Sequence, residues 1–385
     1  MKQGLKGWST TYFCLQLMGI LLLLYFGWAA WSNLVANLSR LDIQIDMRFL
    51  RLESGFNITQ KWLQHHHQST NLNVLWVGII NTLIVSAVGI VLSTVVGILI
   101  ALASYSMNPL LAITSRIYVS IFRNVPLIIQ ILFWYNLWVL KMPAVQQSWS
   151  LQVLLINKRG VYLPEVNWHS AHMMLCLLLL AIEWVLLRWK QYKKVGRHYV
   201  KAYAAAPYML LLWGITIGLF YIGYWMAGEI KMPVIGRYNV QGWHIYPEFI
   251  GLVLGLSLYT AAYHAESIRG AISAIPQGQQ EVSDTMNLTS WQSFYRVIIP
   301  QALPGMLPSM SSHYMNLAKN TSLGLSVGYP EVFAIFAGTV LNQTGRAIEI
   351  IGIVMAVYLA LSITIVFIMN TMNQRQAVWK GTGQG

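Results

Sequence analysis

Charge is scarce in this sequence: only 10% of its 385 residues are Asp, Glu, Lys or Arg. A water-soluble domain carries about a quarter, so a soluble enzyme or binding domain is excluded. With 56% hydrophobic residues and a mean hydropathy of +0.53, the chain reads as an integral membrane protein. Cysteine is scarcer still. Cys14 and Cys176 both lie in apolar runs without a partner at metal-ligand spacing, which excludes a disulfide framework and reads as two buried thiols. Acids are few, 12 against 25 Lys and Arg, a balance of +13. The bases sit in short loops beside apolar runs, so the excess speaks for membrane orientation rather than nucleic acid. No Gly-Lys dipeptide occurs, hence no P-loop, and no hydrophilic stretch is long enough for a nucleotide-binding domain. Any ATP and Mg belong to another subunit, and nothing here asks for a cofactor. His65, His66 and His67 form a run flanked by Gln64 and Gln68, without Cys or Glu ligands nearby; a polar loop is preferred to a metal site.

What is present is a series of long apolar runs. An all-α membrane protein of about eight spans is expected, centred on 13–33, 77–104, 112–140, 171–188, 206–227, 248–268, 303–325 and 347–370. The third is interrupted by Arg123 and Pro126. The seventh is Pro-rich at its start and carries Lys319, so both are broken or tilted. Lys2 and Lys6 precede the first run, as in a signal peptide. That run is long for such a segment, and Trp28-Ala29-Ala30-Trp31 offers no small-x-small cleavage site, so a retained helix is expected. The 16 Trp and 20 Tyr suit either interfacial belts or a helical core. The loop after Leu187 carries Arg188, Lys190, Lys193, Lys194, Arg197 and Lys201 without an acid, which assigns it to the cytoplasm. Counting spans from it places both termini and the 269–302 loop inside as well. The 34–76 loop lies outside, where Asp42, Asp46 and Glu53 roughly balance its bases.

The 269–302 loop is polar yet helix-forming. Pro276 and Gly278 break what precedes it. Glu281 falls in a first helical turn, where a negative charge is favoured, with Asp284 one turn on. Thr289-Ser-Trp-Gln292 is a capping box, and Trp291, Phe294, Tyr295 and Ile298 follow at helical spacing. An amphipathic helix resting on the membrane is one reading of 277–300; a segment seated in a groove of a partner protein is the other.

From Glu281 onward the loop resembles the EAA loop of ABC-importer permeases: a Glu opens it, a turn residue follows six positions later, and a hydrophobic-Pro step closes it at Ile299-Pro300. Two departures stand out. Val282-Ser283 replaces the usual Ala-Ala, and Asn287 stands where Gly is expected, Asn being the next-best residue for a left-handed position. The resemblance extends to Asn81-Thr82-Leu83, to Phe122–Gln130, to Ala262–Gly270 and to Leu317–Leu323. Those segments are similar to permeases of polar amino acid uptake systems, the histidine/glutamate/arginine group. The extra N-terminal segment and the long middle insertion resemble the larger permease of general L-amino-acid importers. The implied layout is 1–76 as N-terminal helix and outside loop, 77–140 and 248–372 as a five-helix permease core, 141–247 as an insertion with two extra spans, and 373–385 as a cytoplasmic tail. The resemblance implies an inner-membrane amino acid permease that catalyses no reaction. Its implied partners are a second homologous permease (usually a heterodimer), two ATPase subunits, a periplasmic binding protein and membrane lipid, with no nucleic acid. Contact with the ATPase falls to Glu281, Asp284, Asn287, Thr289, Trp291, Phe294 and Pro300.

Charges inside the membrane are costly and invite a functional reading. Arg123 either snorkels to the inner interface or faces the path with Gln130. Glu266 and Arg269, three apart, are expected to pair on one helix face. Lys319 lies deeper and, with Asn320, Thr321 and Ser322, is expected to line a polar path for a zwitterionic solute. Two rivals remain. An ion-gradient-driven amino acid transporter calls for an internal repeat with acidic ion sites, which is not seen. A membrane enzyme calls for a histidine–acid constellation, whereas His172, His264 and His313 are scattered in sequence.

Overall fold

The computed structural model describes residues 10–40, 46–151, 153–164, 232–236, 240–276, 278–286 and 288–381. The basic 188–201 loop, the expected spans 171–188 and 206–227, His172 and Cys176 lie outside these. Helix α1 (Thr10–Arg40) presents its apolar side chains outward along its length, Leu23 being 75% exposed. Helix α2 (Asn71–Ser104) begins six residues before the expected 77, because polar contacts rather than apolar content start it. The Thr70 side chain accepts a hydrogen bond from the Asn73 N–H, and the Asn71 amide donates to the Phe49 carbonyl at 3.0 Å.

The expected third span is two helices, α3 (Pro109–Asn124) and α4 (Leu127–Lys141), bent by 107° at Val125-Pro126. Proline drives the preceding residue out of the helical region, and Val125 is accordingly extended at φ −87, ψ 129. Gln130 holds the bend: its amide donates to the carbonyls of Phe122 and Val125, each at 2.9 Å. These carbonyls face the break, so Gln130 replaces backbone donors that proline removes.

Helix α5 (Pro247–Ser273) is the centre of the bundle, packed against α2, α3, α4 and α8 (Ile299–Asn320). Glycines let it approach closely. A Cβ on Gly255 would stand 2.6 Å from the Ile131 side chain and 2.9 Å from its Cα; one on Gly251 would meet Tyr135 Cα at 2.8 Å. One core cluster joins Val85, Ile131, Leu252 and Leu317; a second joins Ala265, Met306 and Ile365.

Pro300 does not close the preceding loop. From α7 (Ser290–Ser293) the chain stays helical through a π stretch at Phe294–Ile298 into α8, with Pro300 in its first turn and Pro304 and Pro308 inside it. Because the helix is continuous there, Pro300 removes one backbone donor at the junction of the π stretch and α8. Helix α8 ends at Asn320, and a 3-10 turn, Thr321–Val327, carries the chain to Gly328 at φ 79, a conformation that favours glycine. A π stretch at Ala334–Val340 leads into α9 (Leu341–Thr344), and α10 (Ala347–Gly381) follows. Among the described residues three helices are long and apolar enough to cross a membrane, Leu15–Asn37, Asn71–Ser104 and Ala347–Thr371, or four with the bent pair. The expected spans six and seven are helices α5 and α8, whose polar faces meet other helices.

The chain is mostly helical, as expected, but described segments between α4 and α5 form strands. Strands β1 (Trp149–Leu151), β2 (Leu154–Asn157), β3 (Gly160–Leu163) and β6 (Trp243–Ile245) form an antiparallel sheet in the order β1-β2-β3-β6, and β4 (Val234–Ile235) pairs with β5 (Val240–Gln241). Three- and four-residue strands leave no long apolar run. The 46–70 segment is also folded: Phe49 and Ile58 enter a third apolar cluster with Val74, Val77 and Phe336. Trp62 packs edge-on against Trp243 at 4.8 Å, joining loop to sheet. His65 is buried between Asn73 Oδ1 at 3.0 Å and the Phe56 carbonyl at 2.9 Å, an internal strut of this loop.

Gly255→Ala is expected to destabilise the purified protein by about 1–3 kcal/mol, because the helices must separate. Gly270→Ala, whose added Cβ would meet no neighbouring element within 4 Å, should leave the detergent melting temperature unchanged or raise it.

Candidate functional site

The charged helix α3 has two faces. Leu110, Ile113, Ile117 and Ile121 form an exposed apolar stripe, and Arg116, Ser120, Arg123 and Asn124 form a polar stripe at helical spacing beside it. The polar stripe lines a cavity of about 800 Å³ whose other walls are the last turns of α2 and α5. Ser104, Tyr105, Glu266 and Arg269 complete its polar lining. The expected Glu266–Arg269 pair is present, Arg269 donating at 2.5 Å and 3.2 Å to the two carboxylate oxygens. Arg123 lies over the Tyr263 ring at 5.3 Å, a cation–π contact. Among the described residues neither Arg116 nor Arg123 is in an ion pair.

The floor of this cavity is tied to the chain that leaves it. Tyr105 donates to the Arg269 carbonyl at 2.9 Å, and its hydroxyl lies 3.1 Å from Ser273 Oγ. Ser273 ends α5, and α6 (Gly278–Thr285) begins five residues later. Leu288 N–H donates to the Ser283 carbonyl, a closure of the type that ends helices at a left-handed residue. Asn287 itself, like the side chains of Glu281, Asp284 and Trp291, lies outside the described residues. The capping box is formed: Thr289 N–H donates to Gln292 Oε1 at 3.1 Å and Gln292 N–H to Thr289 Oγ1 at 3.3 Å. Gln301 on α8 donates to Gln279 on α6 at 3.0 Å, so the loop is bound to the helix it feeds. Phe294 starts the π stretch.

The residues expected to share a path are divided. Arg123 and Glu266 line the cavity. Gln130 is spent on the bend. Lys319, Asn320, Thr321 and Ser322 sit at the junction between α8 and the 3-10 turn, away from it. The Lys319 side chain is exposed, whereas Thr321 is buried, bonded to the Ala318 carbonyl and 3.5 Å from the Tyr358 hydroxyl.

Tyr358 leads to a residue that reading the sequence missed. Glu331 is fully buried and accepts from the N–H groups of Phe333 (2.8 Å) and Ala334 (2.5 Å) and from the Tyr358 hydroxyl (2.7 Å). It caps the helix that follows it and locks that helix to α10. Asn81 and Thr82 complete the knot from α2: Asn81 donates to the carbonyls of Gln60 and Pro330, and Thr82 accepts from Val332 N–H. A lone acid between two apolar runs gave no periodic signal.

The histidines are less scattered than their numbers imply. The His264 and His313 rings are 5.5 Å apart, and His313 Nε2 lies 3.0 Å from Ser267 Oγ and 3.2 Å from Ser309 Oγ. No group of three His, Cys, Asp or Glu suited to a metal occurs among the described residues.

The charge-lined cavity is walled by α2, α3 and α5, of which α2 alone, and α3 together with α4, are long and apolar enough to cross a membrane. The model of the binding-protein-dependent transport system inner membrane component family matches residues 93–378. YhdX of Escherichia coli (strain K12), named as an amino-acid ABC transporter permease protein, is 36% identical over 91% of this chain and 90% of its own length. The general L-amino acid transport system permease protein AapQ of Rhizobium johnstonii is 34% identical over 94% of this chain and 91% of its own. A crystal structure of an amino acid ABC transporter with histidines aligns over 79% of this chain and 94% of that one, at 18% identity and a TM-score of 0.47. The chain therefore belongs to the family of inner membrane components of binding-protein-dependent transport systems. Its relatives are transport permeases rather than enzymes, and the ion-gradient-driven alternative falls away.

Glu331→Ala would strand two backbone N–H groups and a tyrosine hydroxyl, at about 1–3 kcal/mol each. A marked fall in the melting temperature of the purified protein is expected, with a smaller fall for Tyr358→Phe.

Proposed function

We propose that this chain is the transmembrane permease subunit of an ATP-driven importer of L-amino acids in a bacterial inner membrane. It pairs with a second permease, receives its solute from a periplasmic binding protein, and is moved by two cytoplasmic ATPase subunits that bind ATP and Mg. The substrate class rests on relatives that span nearly the whole chain and are named as amino acid permeases. Both termini and the 269–302 loop lie in the cytoplasm in this reading, and the sheet, with the 46–70 segment, faces the periplasm.

One observation carries the mechanism. Helix α5 runs unbroken from the cavity wall at Tyr263, Glu266 and Arg269 to Ser273, a few residues before α6. A partner that grips α6 and α7 thus acts on the cavity wall through the short 274–277 connection. Glu281 and Asp284 supply polar contacts to the ATPase groove, and Trp291 and Phe294 supply apolar anchors. Turning the paired permeases from inward- to outward-facing then opens the cavity to the binding protein. The polar stripe of α3, held off the lipid by the apolar stripe beside it, belongs to that route.

Glu281→Lys is expected to leave membrane insertion and complex assembly intact while reducing ATP-dependent uptake to background. Uptake assays in membrane vesicles, with quantified protein levels, test this; normal uptake at normal expression would remove the loop from the coupling path.

A further inference from the structure

Resting on the reading of the cavity as the solute's route, we propose that the route is a charge filter that favours acidic amino acids and turns away cationic ones. Three guanidinium groups line it, Arg116, Arg123 and Arg269, against one carboxylate, Glu266. Arg269 is committed to Glu266 through two hydrogen bonds. The two α3 arginines have no such commitment: Arg123 stacks on Tyr263 and lies within the field of Glu266, but among the described residues neither is ion-paired. They are seven residues apart on one stripe, roughly 10 Å along the helix, with Ser120 between them.

Two free guanidinium forks on one wall suit a ligand with two carboxylates, since each fork matches one carboxylate with paired donors. One takes the α-carboxylate and the other the side-chain carboxylate. Glu266 accepts from the α-ammonium, because a carboxylate has acceptor sites beyond those Arg269 occupies. A carboxamide side chain satisfies the second fork without its charge and should bind less tightly. A lysine or arginine side chain brings a cation to a wall that already carries an excess of them, and at close range inside a membrane protein that repulsion is weakly screened. The position adds a second argument. The exposed apolar stripe of α3 is a separate face from the arginines, which line the cavity, so their ligand arrives along the route rather than from the bilayer.

The test uses the complete transporter (this chain with its partner permease and ATPase) in phosphatidylcholine nanodiscs, without nucleotide or binding protein. Equilibrium binding of radiolabelled glutamate, glutamine and lysine is measured. Glutamate is expected to bind at least about tenfold more tightly than lysine, with glutamine between. The Arg116→Gln, Arg123→Gln double variant should lose that preference while still binding glutamine, and the Arg116→Lys, Arg123→Lys variant should keep it, which separates charge from folding. Equal wild-type affinities, or a preference that survives in the Gln variant, would overturn the filter. Loss of glutamate binding when phosphatidylglycerol replaces phosphatidylcholine would assign the guanidiniums to lipid phosphate and overturn it also. Failure of all three amino acids to bind the wild type would instead remove the cavity from the route, and with it the reading on which the filter rests.

Discussion

A guanidinium group cannot face hydrocarbon without a cost of several kcal/mol, commonly put at about 2.5–3.5 on insertion scales. Much of this structure follows from that constraint. Helix α3 carries Arg116 and Arg123 within a sequence apolar enough for a membrane, and it satisfies both demands by dividing its surface. The division is useful only if the polar face meets protein or water. The break at Val125-Pro126 turns α4 away from α3 by 107°, and α4 rather than α3 makes the glycine-mediated contact with α5. Space between α3 and α5 is left open, and that space is the cavity.

Packing decides where space is not left. Gly251 and Gly255 bring the backbones of α4 and α5 together, and Gly97 does the same for α2 at His264, where an added Cβ would lie 2.6 Å from the histidine Cβ. On the opposite side the knot of Asn81, Thr82, Glu331 and Tyr358 ties α2, the 329–334 segment and α10 by hydrogen bonds. One end of the bundle is thus pinned by polar contacts and the middle by close backbones. The end holding the cavity is tied by Tyr105 to α5, by Ser267 to Ser309 of α8, and by the apolar cluster around Ala265 and Met306.

The helices were legible because apolar runs and capping residues are local signals. The 289–292 capping box forms as its residues predict, and the break in the third run is expected from Arg123 and Pro126. What escaped notice depends on tertiary partners. Gln130 looked like a path residue because its amide is polar; only the geometry of the bend shows that Phe122 and Val125 need it. Lys319 follows a long apolar stretch, and its side chain is exposed and is not among the residues lining the cavity. Glu331 carried no periodicity, and the sheet lacked a run long enough to register. The sheet has a faint trace in hindsight: Asn157-Lys-Arg-Gly160 between apolar residues is hairpin chemistry, with Gly160 at φ 131.

The β3–β6 pairing has a further consequence. Leu163, where the chain departs toward residue 165, pairs with Trp243, and a Cβ on Gly242 would lie 2.7 Å from the Leu163 carbonyl and 3.0 Å from Pro233. Departure and return therefore meet at one seam. Whatever length of polypeptide is spliced in at that seam, the separation between α4 and α5 stays the same, so the bundle need not be refitted to its guest.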